Sequence, residues 1–245
     1  MITFLLYNCG IELLDSLSPK IIAHPAIKND LKRRKKKQSE VLLDLAVHQS
    51  ALNSKEQINR GRIDIVHHCV LQYLFSPLIH PSGDDENIIT IKLIIHSINN
   101  TFFDVLPSWR PPSHFIRFRG LLEQLYSQGE IIVSSEEKIK LQQGSFNDLI
   151  NKINPKAILL FTSHGKDSEL DLHSFAKLIS DYAISSDQIL CLIGGYQHGP
   201  APKSLLKDCD NKKVKISELK LKGGRLPSWK VLNIALQGIE WNLNS

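Results

Sequence analysis

The sequence lacks the features of exported, membrane-spanning and disulfide-bonded proteins. No apolar run reaches about 18 residues, the minimum for a transmembrane helix, and the start from Met1 to Tyr7 lacks the charged lead of an export signal. No C-x-x-C spacing occurs among the four cysteines, which are Cys9, Cys69, Cys191 and Cys209. Three of them lie in apolar surroundings, which is typical of buried thiols in a reducing compartment. We therefore expect a cytoplasmic protein without a membrane partner, nucleolar if the source cell has a nucleus.

Motifs for common cofactors are also missing. Neither the G-x-G-x-x-G order of dinucleotide-binding folds nor the G-x-x-x-x-G-K-[ST] order of a phosphate-binding loop occurs. The nearest candidate for a metal cluster is His67-His68-Cys69. Adjacent residues on a helix point about 100° apart, so these three side chains cannot all face one ion. We expect no metal, nicotinamide or flavin.

Composition and charge are those of a globular protein with a modest basic balance. Of the 245 residues, 42% are hydrophobic and 22% are charged, and the formal net charge is +5. These values predict one domain over 1–245 and favour an anionic partner. Positive charge is concentrated in six consecutive bases, Lys32 to Lys37. This run favours a solvated, partly mobile loop that attracts RNA over a contact that forms part of a site.

Strands and helices alternate along the chain. Runs rich in β-branched and aliphatic residues predict strands at 2–6, 88–98, 130–133, 157–162, 188–194 and 212–219. Helices are expected after a cap at Ser145, over 172–182 and over 227–243, the last with Trp229, Leu232, Leu236 and Ile239 on one face. This alternation predicts an α/β fold in which helices flank a mostly parallel sheet.

Three of the predicted strands end in loops that suit a ligand. Gly194 and Gly195 follow one strand, Thr162 follows another, and the segment 217–226 contains the end of the third. Because the carboxyl ends of parallel strands meet at one edge of a sheet, the three loops should form a pocket. Taken alone, the glycine loop is equally consistent with a tight turn.

The segment 109–125 interleaves guanidinium groups with aromatic rings. Arginine fits phosphate and stacks on bases, and aromatic rings offer faces to splayed nucleotides, so the pattern indicates an RNA-binding surface. A second interpretation also fits, because Phe115 and Phe118 have core spacing and arginines near a helix start are often solvated.

Arg62 and Asp64 precede an apolar helix that stops at Ser76-Pro77. Asp64 could cap that helix. It could equally contact Arg62 and fix the guanidinium in one orientation, as an RNA-reading arginine requires. Both interpretations remain open.

Five motifs, in this order and spacing, resemble the Nep/Emg family of ribosome-biogenesis methyltransferases, members of the SPOUT superfamily. They are Arg62-x-Asp64-Ile65-x-His67, Ser76-Pro77, Ile95-His96-Ser97, Arg110-x-Pro112-x-x-Phe115-x-Arg117-Phe118-x-Gly120-Leu121-x-x-Gln124-Leu125 and Ile193-Gly194-Gly195-x-x-x-Gly199. The resemblance covers nearly the whole chain. It implies a C-terminal trefoil knot over about 157–245 and a basic insertion at about 28–40.

The resemblance also implies an activity. A homodimer would transfer a methyl group from S-adenosylmethionine to N1 of a pseudouridine in small-subunit rRNA, in contact with other assembly factors or ribosomal proteins. The implied catalytic residues are Arg62 and Asp64, and the implied rRNA-binding residues are Arg62, Asp64, Arg110, Ser113 and Arg117. The implied cofactor-binding residues are Thr162, Gly194, Gly199, Leu219, Lys220, Leu221, Gly224, Arg225 and Leu226.

Two departures from the family pattern affect these expectations. Ser113 replaces an expected arginine. Either His114 or Arg119 would supply the missing RNA contact, or the protein would bind RNA more weakly. The cofactor loop is about three residues longer than usual at 222–224. Two other functions stay open: an rRNA-binding assembly factor without required methyl transfer, and a SPOUT methyltransferase acting on another RNA target, such as a ribose 2′-OH.

Overall fold

The computed structural model describes residues 1–80, 89–163, 168–184, 188–196, 214–222 and 226–243. Its strands are β1 Ile2–Cys9, β2 Ile91–Ser97, β3 Thr101–Val105, β4 Glu130–Ile132, β5 Lys138–Lys140, β6 Gln142–Gln143, β7 Ala157–Phe161, β8 Ser168–Leu170, β9 Ile189–Gly194 and β10 Lys215–Leu221. Its helices are α1 Pro19–Ile22, α2 Pro25–Arg34, α3 Leu45–His48, α4 Ile63–Leu74, α5 Phe115–Gln128, α6 Phe146–Ile153, α7 Leu172–Ile184 and α8 Ser228–Leu243.

Eight strands form one sheet in the order β6-β3-β2-β1-β9-β7-β10-β8. The five pairs that join β2, β1, β9, β7, β10 and β8 are parallel, and β3 pairs antiparallel with both of its neighbours, β2 and β6. The predicted α/β fold with a mostly parallel sheet is therefore confirmed. The order also places β9, β7 and β10 side by side, so their carboxyl ends lie at one edge of the sheet.

Both faces of the sheet are covered, as expected for buried parallel strands. Along β1, Phe4 and Leu6 face a core shared with α4, α5, α7 and α8, whereas Leu5 and Tyr7 face α6. A third apolar cluster packs the N-terminal helices α1 and α2 together. Cys9, Cys69 and Cys191 are buried free thiols, as predicted, and Cys209 lies outside the described residues.

Local signals set several helix ends as predicted. Ser145 accepts a hydrogen bond from the backbone N–H of Asp148, whose carboxylate in turn accepts one from the N–H of Ser145. This reciprocal pair starts α6. The predicted face of α8 is buried at Leu232, Leu236 and Ile239. Within the described ranges, no helix combines the length and the apolar character needed to cross a bilayer.

The strand predicted at 130–133 is present as β4, in a separate two-stranded sheet in which Ile131 pairs with Ile139. One expectation about the fold is wrong, because the basic run is not a mobile loop. Lys32 to Arg34 form the last turn of α2, and Arg34 and Lys36 bind the buried carboxylate of Glu123.

Candidate functional site

Arg62 and Asp64 form a two-point ion pair at the start of α4. Arg62 Nε lies 2.8 Å from Asp64 Oδ1, and Arg62 Nη2 lies 2.7 Å from Asp64 Oδ2. Both side chains are partly exposed, at 20% and 38%. Asp64 occupies the first turn of the helix while Arg62 is its N-cap residue, so Asp64 does not serve as the N-cap. The predicted carboxylate-guanidinium contact is confirmed.

The partner of Asp64 decides its ionisation. Burial raises the pKa of Asp64, but the hydrogen bonds and charge of Arg62 outweigh that effect and hold the pKa below its ordinary value. Asp64 is therefore charged near neutral pH and is a weak proton acceptor. Its geometry and charge suit a group that orients Arg62.

The loop that leads into Arg62 is fixed against the end of β1. The N–H of Gly61 donates to the carbonyl of Gly10 at 3.0 Å, and a Cβ at Gly10 would lie 2.6 Å from the carbonyl oxygen of Asn59. Arg60 adds a two-point pair to the buried Glu12, with both N–O distances at 2.7 Å. These contacts hold the backbone that carries Arg62.

The segment 109–117 presents its arginines and hides most of its aromatic rings. Trp109 and the adjoining Phe118 are buried, so their rings cannot stack on bases, and Phe115 is half-buried against His67. Arg110 and Arg117 are exposed. Arg110 Nη1 donates to the carbonyl of Pro107 at 2.7 Å, which restrains the side chain. The RNA-binding interpretation therefore fits the arginines, and the core interpretation fits the aromatic residues.

Ser113 and His114 are exposed, but Arg119 is not available to replace a missing RNA contact. Arg119 is buried, and its Nη1 lies 2.5 Å from Asp44 Oδ2. The expectation that Arg119 could take the place of an arginine at 113 is thus wrong, because its guanidinium neutralises a buried carboxylate.

His67 joins the helix that follows Arg62 to the 109–117 segment. Its Nε2 lies 3.1 Å from the carbonyl oxygen of Pro112, and its ring centroid lies 4.4 Å from that of Phe118. Burial lowers the pKa of His67, so the ring is neutral near neutral pH. Because a carbonyl can only accept, Nε2 carries the hydrogen. The contact packs α4, one turn after Asp64, against Pro112 and against Phe118, the residue that follows Arg117.

The strand ends predicted to form a pocket are adjacent. The N–H of Thr162 donates to the carbonyl of Leu219 at 3.0 Å, and Phe161 pairs in register with Ile193, the residue before Gly194. Leu219 and Leu221 are buried, whereas Lys220 and Leu226 are half-buried. Gly199, Gly224 and Arg225 lie outside the described residues.

Gly195 serves packing of the protein itself. A Cβ there would lie 2.3 Å from Cys9 Sγ, and the N–H of Gly195 donates to the carbonyl of Tyr7 at 2.7 Å. The loop after β9 therefore closes directly onto the end of β1. The tight-turn interpretation explains Gly195 without a ligand.

Helix α8 connects the strand ends to α4. Ser228 Oγ donates to the carbonyl of Gly194 at 2.5 Å, and the ring of Trp229 lies 4.9 Å from that of His68. Asn233, one turn further, bonds to Gln72. The three contacts join the Gly194 loop and the start of α8 to α4 between His68 and Gln72.

Comparison with known proteins assigns the family. A family model described as EMG1/NEP1 methyltransferase matches residues 4–233. The chain belongs to the EMG1/NEP1 methyltransferase family. The sequence resemblance is thereby confirmed.

Relatives in this family match over most of the chain. The Pyrococcus furiosus protein named ribosomal RNA small subunit methyltransferase Nep1 is 30% identical over 231 residues, 94% of this chain and 93% of that protein. The Thermococcus onnurineus protein of the same name is 34% identical over 185 residues, 75% and 78% of the two chains. The crystal structure of Archaeoglobus fulgidus Nep1 bound to S-adenosylhomocysteine aligns with a TM-score of 0.76 at 26% identity, covering 99% of each chain.

The sequence indicated the arginines but missed the residues that arrange them. His68, Trp229 and Ser228 form the link between α4 and the strand ends, and Glu12 holds the Arg60 loop. These contacts join residues far apart in sequence, so no local spacing predicts them. A weak signal existed for Glu12, an acidic residue among apolar ones, which calls for a cation.

Proposed function

We propose that this protein transfers a methyl group from S-adenosylmethionine to N1 of a pseudouridine in small-subunit rRNA. The observation that carries the proposal is the continuous group formed by the Arg62–Asp64 pair, α8 and the Gly194 loop. This group connects one oriented guanidinium to the strand ends at which α/β proteins bind ligands, which supports RNA binding beside a cofactor. The relatives named as rRNA small-subunit methyltransferases support the choice of RNA and reaction.

The strand-end residues fit S-adenosylmethionine. Its demethylated form, S-adenosylhomocysteine, is bound in the Archaeoglobus fulgidus structure. In this chain, Thr162, Gly194 and Lys220 would offer backbone and side-chain polar groups, and Leu219, Leu221 and Leu226 would offer apolar surface. Bound there, the cofactor supplies a sulfonium-activated methyl group. Gly199, Gly224 and Arg225 remain expected contacts.

Arg62 would hold the substrate base or its phosphate. Asp64 uses Nε and Nη2 of the guanidinium, so Nη1 remains for RNA. Arg110, Ser113 and Arg117, on the 109–117 segment, would bind the RNA backbone on either side of the target base. A target base in a single-stranded loop can be turned outward more easily than one in a duplex.

Pseudouridine is distinguished from uridine by its N1–H group. In uridine N1 is bonded to the ribose, and in pseudouridine it carries a proton and can accept a methyl group after losing it. Asp64 acts here by orienting Arg62, and the positive charge of the arginines stabilises the base as its proton leaves to solvent. The positioning of N1 against the methyl group then provides most of the rate enhancement.

The wider architecture follows the same proposal. We infer that the C-terminal part, about 157–245, forms a trefoil knot within a single domain 1–245. It is supported by β10 pairing with β7 although β9 precedes it in sequence. The protein would act as a homodimer in the cytoplasm, or in the nucleolus of a cell with a nucleus.

Incubation with labelled S-adenosylmethionine and two synthetic RNA hairpins tests the function. The hairpins share one sequence from a small-subunit rRNA loop and differ only in uridine or pseudouridine at one position. We expect mass spectrometry to find one added methyl group on the pseudouridine hairpin and none on the uridine hairpin. Methylation of both hairpins would point to another acceptor atom, and methylation of neither would refute the proposal.

A further inference from the structure

The six consecutive bases of the basic run fall into two sets. Arg34 is 17% exposed, and its side chain and that of Lys36 point inward onto Glu123. Lys32, Lys35 and Lys37 are exposed. Arg33 is also exposed, at 71%, but pairs with Asp30 at 2.6 Å. One set attaches the run to the fold, and the other faces solvent.

The attachment is firm. Glu123 is 1% exposed, and its Oε1 lies 2.8 Å from Arg34 Nη1 while its Oε2 accepts from Lys36 Nζ at 2.8 Å and from Arg34 Nη2. A buried carboxylate with several charged partners is costly to expose, so the run is held at one place on the surface. A cation that is already positioned loses less entropy when it binds a partner.

The attachment point lies on the helix that carries Arg117. Arg117 and Glu123 are both on α5, six residues apart, which is about 9 Å along the helix axis. Arg119, between them, also binds the N-terminal part of the chain through Asp44. The basic run is therefore attached to the same helix as Arg117, about 9 Å further along its axis.

The outward lysines form no ion pair with a carboxylate of the described residues. The two nearest acids in sequence are engaged, Asp30 by Arg33 and Arg34, and Glu40 by the backbone N–H of Lys37. Within the described ranges, none of the three ammonium groups lies within ion-pair distance of a carboxylate. Unneutralised lysines held in place on a surface suit phosphate, which they bind as point charges.

We propose that Lys32, Lys35 and Lys37 bind backbone phosphates of the substrate RNA that flank the methylated loop. The surface extends the RNA contact from Arg117 along α5 onto the end of α2. This lysine surface contacts no base edge. It makes a long RNA bind more tightly than a short one. The inference rests on the proposed function only in taking RNA as the substrate.

The test compares two variants that each remove three positive charges. The first is Lys32→Gln with Lys35→Gln and Lys37→Gln, which leaves the Glu123 attachment intact. The control is Lys92→Gln with Lys140→Gln and Lys177→Gln, three exposed lysines elsewhere on the chain. Binding of a fluorescent pseudouridine hairpin with a long stem, and of the same loop on a short stem, is titrated over a series of salt concentrations.

We expect the first variant to bind the long hairpin about tenfold to fiftyfold more weakly near physiological salt. The slope of log affinity against log salt should fall by about two to three units, as for three lost phosphate contacts. The control and the short hairpin should change little. Equal affinity and slope for the first variant and the wild type would overturn the inference and leave the run as a contact for another partner, such as an acidic protein surface. So would equal losses in both variants.

The binding titration separates this inference from the proposed function. If the wild type binds RNA but transfers no methyl group, the loss in the first variant still supports the lysine surface while the activity is refuted. If the wild type methylates pseudouridine and the first variant binds as tightly, only the lysine surface is refuted.

Discussion

Arg62 gives one edge of its guanidinium to Asp64 and keeps Nη1 for another partner. Two hydrogen bonds to one carboxylate restrict a long side chain in advance, so the proposed binding of RNA would cost less entropy. The contact was predictable because only one residue separates the two. Asp44 and Arg119, which are 75 residues apart, form a comparable pair that no local pattern indicates.

Asp64→Asn tests whether Asp64 orients Arg62 or accepts the substrate proton. An amide keeps the shape but loses the charge that fixes the guanidinium, so we expect RNA to bind about tenfold more weakly. Turnover at saturating RNA should fall much less. The pH dependence of turnover should stay the same as in the wild type, because the pKa of Asp64 already lies below its ordinary value of 3.8.

Titration of hairpin binding and a pH-rate profile provide the measurements for Asp64→Asn. Glu130→Gln is the control, since it removes the exposed ion pair with Lys138 on another part of the chain. If Asp64 were instead the general base, Asp64→Asn would lower turnover by about 10²-fold to 10⁴-fold and would still bind RNA normally. That result would refute the proposal that Asp64 orients Arg62.

Among the secondary-structure elements, those with strong local signals were predictable. The buried aliphatic runs gave β1, β7 and β9 within a few residues, and the reciprocal cap at Ser145 gave the start of α6. The basic run was misread because six like charges are usually solvated. Its partner Glu123 lies more than 80 residues away, and the available signal was an acidic residue beside the apolar Leu122.

Gly195→Ala tests how tightly the loop after β9 closes on β1. The added Cβ would meet Cys9 Sγ at 2.3 Å and Cys9 Cα at 3.1 Å, and backbone cannot yield as a flexible side chain does. We expect a loss of about 1 to 3 kcal/mol in the free energy of unfolding. Binding of S-adenosylmethionine should weaken as Gly194 shifts with the loop.

Urea denaturation and calorimetry measure these two effects, with Gly120→Ala as the matched control. Nothing lies within 4 Å of a Cβ at Gly120, which is inside α5, so that variant should gain up to about 1 kcal/mol. Equal stability of the two variants would mean that the loop is not packed against Cys9 as described.

At the scale of the whole molecule, the parallel sheet could be predicted from the sequence. Consecutive parallel strands end at one edge, so the meeting of the β7, β9 and β10 ends followed from their order in the chain. Which helix packs beside which did not follow. The contacts His68–Trp229 and Gln72–Asn233 advance one turn together, which makes α4 and α8 parallel neighbours. This pairing connects the helix that follows Arg62 to the end of β9 through Ser228.

The parallel packing of α4 and α8 also places two exposed aromatic side chains at the same end of the helix pair. Phe75, just after α4, is 71% exposed, and Trp241, near the end of α8, is 72% exposed. Large apolar groups in such positions favour an interface. We expect the wild type to sediment as a dimer and Trp241→Ser to weaken the dimer by about tenfold or more.

Ile132→Ser is the matched control for the dimer, because Ile132 is 73% exposed but lies on β4 in the separate two-stranded sheet. Analytical ultracentrifugation over a concentration series gives the dissociation constant of each form. If the wild type is monomeric, or if Ile132→Ser and Trp241→Ser weaken association equally, the α4–α8 end is not the subunit contact. If Trp241→Ser alone dissociates the dimer, hairpin binding by that monomer shows whether one chain is enough to hold the RNA.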